Sequence, residues 1–517
     1  MPADQTTSAD DLLLDLDAAG PGPLHARLER ALRTAVESGR VPPGARLPAS
    51  RTLADRLGIS RWSVTEAYGQ LVAEGFLEAR SGSGTRAPLR PTSPRAARSG
   101  GPPAAAPPVS APHAATPTAA PRQVGRSRLD LAAGVPDLRA IPRAAWSRAA
   151  RDALATVPHD ELAAPDVSGH PGLRTALASY LARSRAVRCT PDDLLVTHGS
   201  TDAMTTLVRV LRAAGHRALL VEDPSWPRLR DVAAAAGLTP VPVPVDAEGV
   251  DARALVTAAE RTGARLALIT PAHQFPVGTV LAPGRRDAVV RWAQDVDGLV
   301  IEDDYDAEFR YDRRPVGTLQ GVAPDHVALL GSLSKTLSPA FALGWAVLPP
   351  ALRASVAQAR AAAPSTIDQL TLARFLHEGG YERHLRSTRR RYARRRDALL
   401  AALAARLPGC EVSGVAAGMH VVLALPPGAT GADVARRASL RGATLTDARR
   451  YRMTPTTREA LVVGYGNLAD ARLAEAVDVL GAAVDDAVQN STRDLAENPA
   501  QHARPTARSV TRFGGIA

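Results

Sequence analysis

The sequence predicts a multidomain chain: a small winged helix-turn-helix, then an α/β domain built on a mainly parallel sheet. Three observations carry this. Between about 22 and 88, two short helical stretches meet at a tight glycine turn and lead into a Gly-rich hairpin. Between about 128 and 488, short β-branched runs alternate with alanine-rich helical stretches, the pattern of strands buried between helices. Between these two parts, 89–127 is dominated by Pro, Ala and Ser and cannot bury a core. The 517 residues leave room for two domains or more.

Residues 1–21 form an acidic N-terminal tail with five aspartates and no basic residue. The tail is polar rather than basic then apolar, so it does not read as a secretory signal. No apolar run approaches membrane-spanning length. The two cysteines, Cys189 and Cys410, lie far apart and suggest neither a disulfide framework nor a metal cluster. A cytoplasmic protein is expected, and abundant Ala and Arg with scarce Lys point to a GC-rich bacterial source.

In the 22–88 module, Leu24, Leu28, Leu32 and Val36 recur every four residues, with Ala31 and Ala35 beside them. That is one apolar stripe on a helix ending near Gly39. Pro42-Pro43-Gly44 turns the chain. A second helix, Ser50 to Leu57, buries Leu53 and Leu57 and stops at Gly58. Ser60 caps a third helix, Arg61 to Glu74, whose Val64, Tyr68, Leu71 and Val72 face inward. Residues 76–85 read as a hairpin, the wing. The N-terminal end of the third helix suits the major groove of double-stranded DNA. There Arg61 can reach guanine edges bidentately, while Ser60, Ser63 and Thr65 can reach phosphates or bases. Arg46 and Arg51 look like phosphate clamps or base readers. Gly82 and Ser83 at the wing tip let the backbone approach the minor groove.

The charge agrees. Residues 22–88 hold ten arginines against six acids, and 89–128 hold six arginines and no acid. The formal +11 therefore gathers where a polyanion would dock. The linker 89–127 reads as a semi-rigid tether, its arginines either weak phosphate attraction or plain spacer charge.

In 128–488 the expected strands are Leu194–Thr197, Ala218–Glu222, Leu266–Thr270, Leu299–Glu302, Val327–Leu330 and Trp345–Leu348. Helices fit at Thr201–Ala213, Pro227–Ala236, Arg253–Arg261 and Arg285–Ala293. Ligands in such sheets bind beyond the C-terminal ends of the strands, and chemistry-bearing residues fall there. Lys335 is the only lysine among 63 Lys and Arg. A guanidinium stays protonated, whereas a desolvated ε-amine can lose its proton and attack a carbonyl to form a Schiff base. Gly199-Ser200-Thr201-Asp202 opens a helix whose amides and hydroxyls suit a phosphate, although Ser and Thr are also ordinary N-caps. Trp226 either stacks on a planar ring or fills a core. Asp303 can hold a ring nitrogen protonated and Tyr305 can bond a ring oxygen; otherwise Glu302-Asp303-Asp304 is a solvated acidic loop. Amine, acid, aromatic face and helix N-terminus together would assemble a pyridoxal phosphate site. Arg450 and Arg452 precede the last expected strand, Leu461–Val463, and one of them can hold a carboxylate. Residues 489–517, polar and without periodicity, read as a disordered tail.

These stretches also carry a resemblance. The run from Gly39 to Arg51, Gly58-Ile59-Ser60-Arg61 and Glu74-Gly75-Phe76-Leu77 resemble GntR-type winged helix-turn-helix regulators. The runs 222–227, 270–278, 301–311 and Ser332-Leu333-Ser334-Lys335 resemble fold-type I aminotransferases, and more closely the aminotransferase-like half of the MocR subfamily of GntR regulators. The resemblance implies DNA contacts at Arg51, Ser60, Arg61, Ser63, Thr65 and the wing. It implies pyridoxal 5'-phosphate on Lys335, Asp303 at the pyridine nitrogen, Tyr305 at the phenol oxygen and Trp226 over the ring, with Ser332 also cofactor-binding. Arg228 matches an arginine for an effector carboxylate. The implied function is a bacterial, homodimeric transcription regulator that senses the vitamin B6 cofactor or an amine effector. A true aminotransferase with an accessory DNA-binding domain, and a regulator without pyridoxal phosphate, are the alternatives. The chain departs from the pattern at four places. Trp62 replaces a small polar residue. Ala342 replaces the phosphate-clamping arginine, and Ala164 a tyrosine. Phe275 sits where catalytic aminotransferases have an asparagine touching the cofactor. Trp62 bears on the half-site preference, and Phe275 and Ala342 weigh against transamination.

Overall fold

The computed structural model describes residues 23–73 apart from 39 and 43, then 77–80, 84–87, 128–163, 166–311 and 316–497, with 14, 16, 19 and 20. The chain divides into two compact units, Met1–Thr118 and Ala119–Ala517.

In the first unit, helices α1 (Leu24–Glu37), α2 (Ser50–Leu57) and α3 (Arg61–Ala73) precede a hairpin of β1 (Glu78–Arg80) and β2 (Gly84–Arg86). Leu28, Leu32, Leu53, Val64, Leu71 and Leu77 form its core, and the Tyr68 hydroxyl donates to the Pro48 carbonyl at 2.9 Å. Gly58 closes α2 at φ +62, a left-handed position that favours glycine. Leu24, expected in the apolar stripe, is instead 43% exposed, in the first turn of α1.

The second unit begins with β3 (Leu129–Asp130), α4 (Arg143–Thr156) and α5 (Pro171–Arg185). Its main sheet follows: β4 (Leu194–Thr197), β5 (Ala218–Asp223), β6 (Thr239–Asp246), β7 (Gly249–Val250), β8 (Leu266–Ile269), β9 (Leu299–Asp303), β10 (Val327–Ser332) and β11 (Gly344–Val347). Between these strands run α6 (Ser200–Ala213), α7 (Pro227–Ala235), α8 (Ala252–Thr262), α9 (Pro283–Asp295) and the short α10 (Leu333–Thr336). The strand order is β4-β11-β10-β9-β8-β5-β6-β7. All neighbours are parallel except at β11 and β7.

Alternation along the strands divides the core. Leu219, Val221, Leu266, Leu268 and Ile301 pack with α6 and α7. Leu220, Ala267, Ile269 and Val300 pack with α8 and α9 on the other face. The six expected strands and four expected helices are all present. β6 was not among the expected strands. Its prolines at 240, 242 and 244 are tolerated because they fall where β6 pairs with β5 alone; β7 pairs only with Val245 and Asp246.

After the sheet come α11 (Pro350–Gln358), α12 (Thr366–His377) and the long α13 (Gly380–Arg406). A second sheet follows, of β12 (Val412–Ser413), β13 (His420–Ala424), β15 (Thr446–Asp447) and β16 (Ala460–Gly464). It encloses α14 (Gly431–Leu440) and β14 (Ala443–Thr444), which pairs with β3. The last helix, α15 (Leu473–Glu497), runs past 489 into the stretch expected to lack structure. Its apolar face, Val477, Leu480, Val484 and Ala487, anchors it to the core. Among the described residues no helix is long and apolar enough to cross a membrane, and no group of His, Cys, Asp and Glu is arranged to hold a metal ion.

Candidate functional site

β10 is buried along its length and delivers the chain to the sheet's C-terminal edge. Ser332 caps α10 there, its hydroxyl accepting from Ser334 N at 3.1 Å, and Lys335 follows in the same turn. Lys335 Nζ donates to the Gly134 carbonyl at 2.7 Å and stands 5.6 Å from the centroid of the Trp226 ring. Gly134 has φ +78, and a Cβ there would lie 2.9 Å from Nζ, so glycine makes room for the amine.

Asp303 ends β9, in register with Leu330 of β10. It is 9% exposed, and its Oδ1 is buried without a hydrogen-bond partner. Burial, then the charge of Asp304, pushes its carboxyl up to about 7, while Lys335 pulls it down. A buried acid with an orphaned oxygen near an amine fits a cationic ring nitrogen, which would satisfy that oxygen and restore its charge.

The Tyr305 hydroxyl lies 3.0 Å from His273 Nδ1, which is also 3.0 Å from both oxygens of Asp306. With Nδ1 protonated, the imidazole donates toward Asp306 and the phenol oxygen. Burial raises the Tyr305 pKa well above the usual phenol value, so the group stays protonated. His420 donates from Nε2 to the Pro276 carbonyl at 3.1 Å, and burial beside His273 pushes it down to about 3, so it is neutral.

Phe275, 5% exposed, meets Trp226, Tyr305 and Tyr451 edge-on at ring distances of 5.4, 6.1 and 4.8 Å. Hydrocarbon thus fills this side of the site. Trp226 packs on this aromatic cluster, and its ring also lies beside the Lys335 amine.

At the other end of the site, Gly199 caps α6 at φ +108. A Cβ on Gly199 would lie 3.7 Å from Ser332 Oγ, so Ser332 stands beside the turn that carries Ser200 and Thr201. These free amides and hydroxyls suit a phosphate. The same turn holds Asp202, which accepts from His198 N at 3.0 Å and lies 3.5 Å from Arg360. Ala342 is exposed at φ +47 and offers no charge. The residues present therefore fit the amine-reactive, ring and phenol ends of pyridoxal phosphate, with a phosphate cradle that lacks the arginine at 342.

The segment 451–454 is tied to the Trp226 loop. Asp223 accepts from Met453 N and Thr454 N at 2.8 and 3.0 Å, and Ser225 N donates to the Tyr451 carbonyl at 2.9 Å. Buried Arg230 donates to the same carbonyl at 3.0 Å. Arg452, in this segment, is half-buried and has no ion-pair partner among the described residues. Arg228 is exposed in the first turn of α7 and is joined to none of these groups by a described hydrogen bond or ion pair. Sequence reasoning missed Gly134, His273, His420 and Arg230. Only His273 carried a signal, lying inside the 270–278 run.

In the first unit, Arg46, Arg51, Ser60, Arg61 and Thr65 are exposed. Ser63 is not, which corrects the expectation that it reaches DNA. Its hydroxyl lies 2.9 Å from that of Ser60, whose oxygen also accepts from Ser63 N at 3.1 Å, so the pair is used to cap α3. Thr65 Oγ1 donates to the Arg61 carbonyl at 2.9 Å. Trp62 is 64% exposed beside Arg61, edge-on to His25. Gly82 and Ser83 lie outside the described residues.

Comparison with known proteins agrees with both halves. Residues 24–86 match the bacterial regulatory proteins of the gntR family, and residues 126–480 match aminotransferase class I and II. The chain is 31% identical over 478 residues to a probable rhizopine catabolism regulatory protein MocR of Rhizobium meliloti, covering 91% of this chain and 95% of that one. It is 32% identical over 416 residues to an HTH-type pyridoxine biosynthesis transcriptional regulator PdxR of Corynebacterium glutamicum, covering 80% and 86%. Among solved structures, an archaeal alanine:glyoxylate aminotransferase superposes with a TM-score of 0.64 at 25% identity, covering 70% of this chain and 92% of that one. The chain therefore belongs to the MocR-type transcriptional regulators of the GntR family, in which a helix-turn-helix unit precedes an aminotransferase-like domain.

Proposed function

We propose that this regulator reads double-stranded DNA with the face bearing Arg46, Arg51, Ser60, Arg61 and Thr65, and uses its aminotransferase-like domain as a sensor of pyridoxal phosphate or of an amine that reacts with it. The observation that carries the reading is Lys335 Nζ beside Trp226, with buried Asp303 Oδ1 unpartnered. When bound, the cofactor supplies an aldehyde carbon that Lys335 holds covalently, water leaving, and that an amine can take over. Gly134 holds the amine in place through its carbonyl. Asp303 keeps a ring nitrogen protonated, Trp226 covers one face, Tyr305 donates to the phenol oxygen, and Ser200, Thr201 and Ser332 receive the phosphate. Arg452, half-buried and without an ion-pair partner among the described residues, takes an effector carboxylate, or Arg228 does. Phe275 gives up a polar contact that turnover would use, which favours sensing over transamination. A homodimer would present two reading heads to one DNA.

The test is the affinity of the full-length protein for a duplex selected from a random pool, with and without pyridoxal phosphate. Wild type should change its affinity several-fold on adding the cofactor, and Lys335→Ala should not respond. A Lys335→Ala response equal to wild type would rule the sensor out.

A further inference from the structure

Between Glu382 and Asp397 the chain carries eight arginines and no carboxylate. Five are engaged. Arg391 and Arg395 pair with Asp137 at 3.7 and 3.0 Å, and Arg395 also pairs with Asp470 at 2.6 Å. Arg383, Arg389 and Arg396 donate to the carbonyls of Glu378, Glu308 and Gly414. The other three, Arg386, Arg390 and Arg394, are exposed on α13 and have no carboxylate partner among the described residues. With Ser387 they line an open depression of about 360 Å³. Their spacing of four puts them on one face, along roughly 12 Å of helix axis.

Arginine-rich composition alone does not explain the stripe. Four other arginines of this unit have a carboxylate beside them: Arg374 has Glu378, Arg437 has Asp433, Arg441 has Asp486 and Arg406 has Asp485. On α13 like charges stand at the spacing where they repel, and the chain places no acid among them.

We propose that this stripe binds the phosphodiester backbone of double-stranded DNA flanking the sequence read by the winged helix-turn-helix. The inference rests on the reading of the first unit as the DNA-reading head and adds a second, sequence-independent contact from the aminotransferase-like unit. Three permanent, planar guanidiniums and the Ser387 hydroxyl suit phosphate oxygens. About 12 Å of duplex axis presents roughly seven phosphates to them. Such contacts add affinity and position the duplex without reading bases.

The test compares full-length wild type with Arg386→Gln/Arg390→Gln/Arg394→Gln on two duplexes. One is trimmed to the sequence selected by wild type, and the other carries random flanks on both sides. On the flanked duplex the variant should lose up to about 2.7 from the slope of log affinity against log salt, about 0.9 for each phosphate contact. On the trimmed duplex it should match wild type, with its preference for selected over scrambled sequence unchanged. A wild-type slope on the flanked duplex overturns the proposal. So does a lower oligomeric state of the variant in sedimentation, which would give the face to a second copy. Failure of the reading-head assignment shows separately, as an Arg61→Ala protein that keeps the wild-type sequence preference.

Discussion

Asp303 is the residue whose titration reports the site. Its carboxyl is raised from the ordinary carboxylate range to about 7, first by burial and then by Asp304. A folded carboxyl raised in this way keeps its proton after the unfolded chain has lost its own. Stability is therefore fully present below about pH 4 and is lost as pH rises toward about 7. In cofactor-free protein, Asp303→Asn should flatten part of that loss, on the order of 2–4 kcal/mol between pH 4 and 7.5. Thermal melting across that range measures it. Glu222, Glu302 and Glu308, also raised to about 7 by burial, keep the remaining slope. An unchanged slope in the variant would place the Asp303 carboxylate in water. Adding pyridoxal phosphate to wild type should restore stability at neutral pH, because a cation then faces the charged form. At this scale the sequence was informative where chemistry restricts residue type. A lone lysine, an acid at the end of β9 and an indole in the loop after β5 stood out as letters. Gly134 did not, since its role is a carbonyl direction and an absent side chain, and neither is a property of the letter G in isolation.

The elements were legible where one periodicity dominated. The buried strands of the main sheet read as β-branched runs, and the three helices of the first unit had apolar stripes closed by glycine. β6 was hidden by its prolines, and the charged surface of α13 hid a helix whose buried positions, Leu385, Tyr392, Leu399 and Leu403, are spread among arginines. α15 outran its expected end because its last turns are polar. The capping pair at α3 shows how an element can claim a residue that sequence reasoning assigns to a ligand. Ser60→Ala removes the acceptor that holds Ser63 N and exposes the helix start to fraying, at a cost of about 1 kcal/mol. Amide exchange at the first turn of α3 should therefore quicken about fivefold, as hydrogen-exchange mass spectrometry can measure. Unchanged protection there would mean that Ser60 is free for another partner.

At the scale of the whole molecule, two units of different chemistry share one chain. Their family relationship explains the pairing without specifying how the second unit informs the first. A ligand can shift that relationship only by the difference in its free energy of binding to two arrangements, so the covalent hold on the cofactor matters more than its tightness. On the proposed reading, Ala342 offers no charge to the phosphate; a charge-assisted contact is worth about 1.5–3 kcal/mol, so reversible binding would be weaker while the amine chemistry would be kept. The central claim is therefore best tested at the covalent bond. Purified full-length protein is incubated with pyridoxal phosphate, reduced with borohydride, digested and mapped by mass spectrometry. The peptide containing Lys335 should gain a phosphopyridoxyl mass, with loss of the visible absorption band, and Lys335→Ala should show neither change. Absence of that mass from the Lys335 peptide under saturating cofactor would contradict the claim.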